Sequence, residues 1–63
     1  MKDLKLRTIQ GLSTDKVKVL EDKELNLYML ENGILYDAII QDSSYKLSKG
    51  VSHRMSKLNL IID

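Results

Sequence analysis

The sequence predicts an all-β domain, a small antiparallel meander of five to six short strands that form a curled sheet or a small barrel. Two observations predict this fold: short runs in which apolar and polar residues alternate, and an Asn32-Gly33 pair between two such runs. The 63 residues fit a single small domain spanning 1–63. The alternative is an α+β fold with one helix near 43–56.

The strands are predicted from period-two alternation of apolar residues. At the N-terminus, Leu4 and Leu6 alternate with Lys5 and Arg7, and residues 10–15 follow as a loop. Applied along the chain, the same pattern predicts strands near 4–9, 16–21, 25–31, 34–41 and 57–62.

The Asn32-Gly33 pair predicts a two-residue hairpin, because a type I′ turn needs positive φ at both central positions. Pairing across that turn sets Leu30 opposite Leu35 and Met29 opposite Tyr36. One face then collects the residues that we expect to form the core and a self-association surface: Leu25, Leu27, Met29, Tyr36, Ala38 and Ile40. Aspartate at Leu27 or Ile40 is expected to unfold such a core.

A helical stripe is the rival interpretation of this hairpin. It would hold Asn32 and Gly33 at the centre of a helix, at a cost of about 1.5 kcal/mol relative to alanines. It would also leave Leu25, Met29 and Ile40 off the stripe, so we favour the hairpin.

A three-residue loop at 22–24 is predicted to join the second and third strands. This loop sets Val19 opposite Leu27 and Val17 opposite Met29, which extends the same apolar face. A two-residue loop would instead place Lys18 opposite Leu27 and is rejected.

Residues 43–56 fit two interpretations. Leu47, Val51 and Met55 recur at helical spacing, but Gly50 and the four serines between 43 and 52 are poor helix formers. The strand interpretation, which we favour, makes 45–48 and 51–55 a second hairpin around Lys49-Gly50.

Composition excludes most enzyme classes. Cysteine is absent and histidine occurs once, so no thiol nucleophile or multi-histidine metal site can form. The net charge of +1 gives no overall positive field of the kind that marks a nucleic-acid binder. None of the three glycines opens a phosphate-binding loop. We therefore expect no enzyme activity, no cofactor and no metal. No apolar run reaches the roughly 18 residues of a membrane span, and no signal-peptide core is seen, so we expect a cytoplasmic protein.

The charged residues are distributed unevenly along the chain. Residues 1–42 carry net charge −2, whereas residues 43–63 carry net charge +3 with Asp63 as their single acid. We expect this basic segment to contact an acidic partner protein, with Tyr45 as the anchor. The predicted contact residues are Tyr45, Lys46, Lys49, His53, Arg54 and Lys57. The alternative is a nucleic-acid-binding protein that uses 45–57.

Self-association is expected because a chain of this size without disulfides or metal needs another source of stability. Apolar residues on both sides of the predicted hairpin favour a homodimer. Together, these features predict a non-enzymatic protein-interaction module, of the kind found among small phage or prophage regulators and inhibitors.

Overall fold

The computed structural model describes residues 2–42 and 46–63, and these form six strands in one mixed sheet. The strands are β1 (Lys2–Thr8), β2 (Val17–Glu21), β3 (Leu27–Glu31), β4 (Ile34–Ile40), β5 (Leu47–His53) and β6 (Leu58–Ile62). A single 3₁₀ turn, Met55–Lys57, connects β5 to β6. The all-β prediction is confirmed. The alternative helix near 43–56 is wrong, because strand β5 occupies the middle of that range.

The strand order is β5-β4-β3-β2-β1-β6, so β5 and β6 are the two edges of an open sheet. Four of the neighbouring pairs are antiparallel, as predicted, but β1 and β6 are parallel. The sheet does not close into a barrel, so the predicted barrel is not formed. The parallel pair was not foreseen, because it joins the two ends of the chain and leaves no local pattern in the sequence.

The Asn32-Gly33 hairpin is confirmed with its predicted register. Asn32 and Gly33 have φ values of 54° and 76°, as a type I′ turn requires. Leu30 pairs with Leu35, as the turn chemistry predicts. The helical rival is therefore wrong.

The predicted β2–β3 loop is too short. The connection spans five residues, 22–26, so Val19 pairs with Met29 rather than with Leu27. The Asp22 carboxylate stabilises this longer loop by accepting hydrogen bonds from the backbone N–H groups of Glu24 and Asn26, each at 2.9 Å. The pairing of β2 with β3 is thus shifted by two residues from the predicted register, and an even shift keeps every side chain on its expected face.

Leu25 lies in this loop and not on the predicted apolar face. Its φ of 66° is left-handed, and its side chain is 72% exposed. The sequence pattern missed this because it treated Leu25 as the first residue of a strand that begins at Leu27.

A β-bulge interrupts β5 where a second hairpin was predicted. Ala38 pairs with Lys49 and Tyr36 pairs with Ser52, so the two residues Gly50 and Val51 lie opposite Asp37 alone. The Lys49-Gly50 turn is therefore wrong, because glycine here marks a bulge within one continuous strand.

The core lies on one side of the sheet, which we call the inner face. Leu6, Leu20 and Leu35 are buried there. Leu4 of β1 packs against them, together with Leu58 and Leu60 of β6. Strand β1 makes this possible because residues 2–6 pair with β6 while Arg7 and Thr8 pair with β2.

The opposite side of the sheet, which we call the outer face, carries the remaining members of the predicted apolar face. Leu27, Met29, Tyr36 and Ala38 are half-buried there, and Ile40 is 50% exposed. Val19 is the exception, with 2% exposure. The fully buried leucines thus lie on the face opposite to the predicted one, because the β1–β6 pair covers the inner face.

Candidate partner-binding edge

Lys46, Lys49, His53 and Arg54 lie along one edge of the sheet, whereas Lys57 lies in the 3₁₀ turn directly before β6, the opposite edge. We call the first of these surfaces the β5 edge: strand β5 (Leu47–His53), Lys46 before it and Arg54 after it. Lys46, Arg54 and Lys57 are all exposed. Tyr45, the predicted anchor, lies outside the described residues.

The structure does not bring these side chains onto one face. Lys49 pairs with Ala38 and projects from the outer face, whereas His53 pairs with Leu35 and projects from the inner face. Lys57 apart, what the described contact residues share is therefore the edge itself, with its strand backbone.

Lys49 forms two contacts on the outer face. Its ammonium group forms an ion pair with Glu31 and lies 5.4 Å from the centre of the Tyr36 ring. The hydrogen bond to Glu31 raises the pKa of Lys49 above its ordinary value. Lys49 therefore helps to hold β5 against the sheet through β3 and β4.

His53 has a carboxylate partner that the sequence did not reveal. Its Nε2 lies 2.6 Å from Asp37 Oδ1, and its ring makes an edge contact with Tyr28, with ring centres 5.7 Å apart. The Tyr28 hydroxyl donates a hydrogen bond of 3.0 Å to Asp22 Oδ2. These four side chains form a polar network beside the leucine core.

Burial raises the pKa of Tyr28 to about 12, and the hydrogen bond to Asp22 adds to this effect. For Asp22, burial acts to raise the pKa, but the hydrogen bonds from Asn26, Tyr28 and Glu24 together lower it below its ordinary value. The network therefore favours a neutral phenol beside a charged carboxylate.

The Asp37–His53 pair has no neighbouring hydroxyl nucleophile along β5. Ser52 pairs with Tyr36 and projects from the outer face, away from the His53 ring. Over residues 2–42 and 46–63, no three potential ligand side chains come together in a way that could hold a metal ion. Among the same residues, no helix has the length and apolarity needed to cross a membrane.

The free side of β5 exposes an apolar residue at its centre. Val51, at the bulge, is 72% exposed, and Ile39 and Ile40 at the end of the neighbouring strand are about half exposed. The chain has no acidic residue between Asp42 and Asp63. Among the described residues β5 pairs with β4 alone, so the β5 edge combines an outward strand backbone, a central apolar side chain and flanking cations.

Two shallow grooves lie elsewhere, beside the 22–26 loop. Their volumes are about 260 and 370 Å³, and both are lined by Lys5, Asp22 and Lys23 among other residues. Acidic and basic groups alternate around them, so neither groove has a charge preference comparable to that of the β5 edge.

The sequence missed the contacts that cross between strands. The hairpin register does place Asp37 opposite Tyr28, which was a usable signal for a polar site. The link from Asp37 to His53 depends on the bulge at Gly50 and Val51, which shifts the register of β5 by one residue.

No family model matches this sequence, and comparisons with curated proteins and with solved structures found no match. The residues of the β5 edge are therefore the basis for inferring what the protein does.

Proposed function

We propose that the protein is a non-enzymatic protein-interaction module that binds a partner protein through the β5 edge. The observation that carries this proposal is an acid-free edge strand with Val51 exposed at its centre. Edge strands are recurrent docking elements, because their outward backbone groups are available to a partner.

The charges around β5 define the partner surface. Lys46, Arg54 and Lys57 are exposed, and among the described residues none of the three forms an ion pair. A cationic rim around an apolar contact favours a partner with an acidic patch, because complementary charge steers encounter and orients docking. Tyr45 remains a sequence prediction for the anchor.

A chain of 63 residues can act by occupying the surface of a larger protein. We propose a small cytoplasmic regulator or inhibitor, of the kind that phages and prophages encode. In this proposal the edge residues bind the partner and catalyse no reaction. The Asp37–His53 contact has a structural role, because it joins β4 to β5.

Self-association is part of the proposal. Ile34 and Ile40 are exposed on the outer face, beside half-buried Leu27 and Met29. A second copy of the chain would cover this face and leave the β5 edge free for the partner.

Nucleic-acid binding is the alternative, and the exposed cations of the same edge support it. It requires an affinity that falls steeply with salt: a plot of the logarithm of the affinity against the logarithm of the salt concentration should have a slope of about −3 for three neutralised phosphates. A protein partner bound through Val51 as well as through charge depends less on salt.

Charge reversal tests the proposal. The triple variant Lys46→Glu, Arg54→Glu, Lys57→Glu reverses the exposed cations at the two ends of β5 and in the 3₁₀ turn that follows. The control triple variant Lys16→Glu, Lys18→Glu, Lys23→Glu changes the net charge equally at exposed positions away from the β5 edge. Both are used to capture partners from the native host, with nuclease and without, after circular dichroism has verified folding.

We expect the edge variant to lose a nuclease-resistant protein partner that the control retains. Equal capture by both variants would contradict the proposal. Capture that disappears with nuclease would establish the nucleic-acid alternative instead.

A further inference from the structure

We infer that the partner contributes an extended, acidic segment that adds to the sheet as a new strand beside β5. This inference rests on the proposed function and deepens it, because it names the conformation and the charge of the bound segment. The juxtaposition that carries it is a seven-residue edge strand, paired within the described residues on its β4 side alone, with a cation next to each end.

The backbone of β5 provides the first argument. On one side β5 pairs with β4 from Leu47 to His53, and in the described part of the chain no strand pairs with its other side. About half of the backbone N–H and C=O groups of an edge strand point away from the sheet. An extended segment satisfies these groups and gains affinity from main-chain hydrogen bonds.

Charge decides which kind of strand can be added. Lys46 and Arg54 place exposed positive charge at the two ends of β5, whereas Lys49 is ion-paired with Glu31 and His53 contacts Asp37. Two copies of β5 side by side would bring like charges together, which destabilises a cross-strand pair. The same charges favour a strand that carries aspartate or glutamate.

The bulge provides the third argument. Gly50 and Val51 lie opposite Asp37 alone, so the strand bends at this point and the Val51 side chain stands 72% exposed. A bulge limits unselective pairing, because a flat strand cannot follow it along its whole length. The added segment therefore needs an apolar residue over Val51 between its acidic residues.

The other edge of the sheet does not offer the same charge. Strand β6 has five residues and mixed charge around it: Lys57 directly precedes it, and Asp3 on the neighbouring strand accepts a hydrogen bond of 3.1 Å from Asn59. Asp63 follows at its end. An acidic segment is therefore directed to β5, and β6 is an internal control in the same molecule.

The test uses synthetic peptides with the full-length chain. The probe is a capped peptide that alternates aspartate and valine over the length of β5. One control replaces aspartate by lysine. A second control keeps every side chain but carries N-methyl groups on alternate backbone amides, which removes main-chain donors. Binding is followed by amide chemical shifts and by amide hydrogen exchange.

We expect the aspartate peptide to bind and to slow amide exchange within Leu47–His53 but not within Leu58–Ile62. The lysine peptide should not bind. The N-methylated peptide should bind about tenfold more weakly or worse, because each lost main-chain hydrogen bond weakens binding.

Equal binding of the N-methylated peptide would overturn strand addition while leaving the proposed docking at the β5 edge intact. Protection that appears in β6 or in the 22–26 loop would overturn the placement on β5. The proposed function itself fails only if charge reversal at the β5 edge leaves capture of the native partner unchanged.

Discussion

Gly50 lies directly against Asp37 across the β4–β5 pair. A Cβ atom added at Gly50 would stand 3.2 Å from both the Asp37 carbonyl oxygen and the Asp37 Cβ, and 3.0 Å from Ile39 Cδ1. The Asp37 backbone cannot move away without disturbing the strand pair. This close approach explains why the bulge of the β5 edge contains glycine.

We predict that Gly50→Val lowers the free energy of unfolding by about 1–3 kcal/mol, since the added methyl groups overfill the space against β4. Urea denaturation measures this change. The matched control is Gly11→Ala, where nothing lies within 4 Å of an added Cβ, and it should alter stability little. Equal stability of Gly50→Val and the wild-type chain would show that β5 does not approach β4 in this way.

The strained conformation of Leu25 gives a second prediction. A left-handed φ of 66° is costly for leucine, and at 72% exposure the side chain gains little from burial. Leu25→Asn should stabilise the chain by about 0.5–1 kcal/mol, because asparagine tolerates this region. Leu25→Ala keeps the strain and should be close to neutral. A destabilising Leu25→Asn, measured by thermal unfolding, would argue against this loop.

Tyr28 gives a prediction about pH. Its pKa is raised from 10.0 to about 12, so the neutral phenol stabilises the folded state. This contribution is complete below pH 10 and is lost as the pH rises through about 12. The free energy of unfolding should therefore fall more steeply over this window in the wild-type chain than in Tyr28→Phe.

Urea denaturation at a series of pH values measures this difference. Tyr36→Phe is the control and should retain the steep fall, since the Tyr36 hydroxyl does not belong to the Asp22 network. Identical pH dependence in Tyr28→Phe and the wild-type chain would contradict the assigned environment of the phenol.

The position of the core gives a fourth prediction. Leu35 is 0% exposed, so Leu35→Ala should lower the free energy of unfolding by about 2–5 kcal/mol. Ile40 is half exposed, so Ile40→Asp should leave the chain folded, contrary to what the sequence pattern alone predicts. Circular dichroism and denaturant midpoints separate the two. If Ile40→Asp unfolds the chain, the core lies on the outer face, which contradicts this account.

Self-association gives a fifth prediction, and Ile40→Asp serves it as well. At high micromolar concentration, light scattering after size exclusion should report a dimer for the wild-type chain. Ile40→Asp should be monomeric, because it places a charge on the outer face that the second copy covers. A wild-type monomer at the same concentration would refute the dimer.

Local chemistry made part of the fold predictable from the sequence. Asn32 and Gly33 dictate a turn type, and that turn fixes the register of β3 and β4. The 22–26 loop was less predictable, because the Asp22 carboxylate that organises it acts through side-chain contacts. Non-local pairing was beyond the sequence: nothing near Leu4 or Leu60 indicates that β1 and β6 pair in parallel.

The candidate site was predictable to the same degree. The absence of acidic residues around β5 is visible in the sequence, and it located the basic edge. The division of Lys49 and His53 between opposite faces was hidden, because it depends on the bulge at Gly50 and Val51. A helix or a hairpin over the same residues would have grouped these side chains differently.

The most direct measurement is amide hydrogen exchange on the chain, free and in complex with its captured protein partner. Binding through the β5 edge predicts added protection over residues 46–54, with little change over β1 and β2. Protection confined to the 22–26 loop or to β6, with exchange in β5 unchanged, would contradict it.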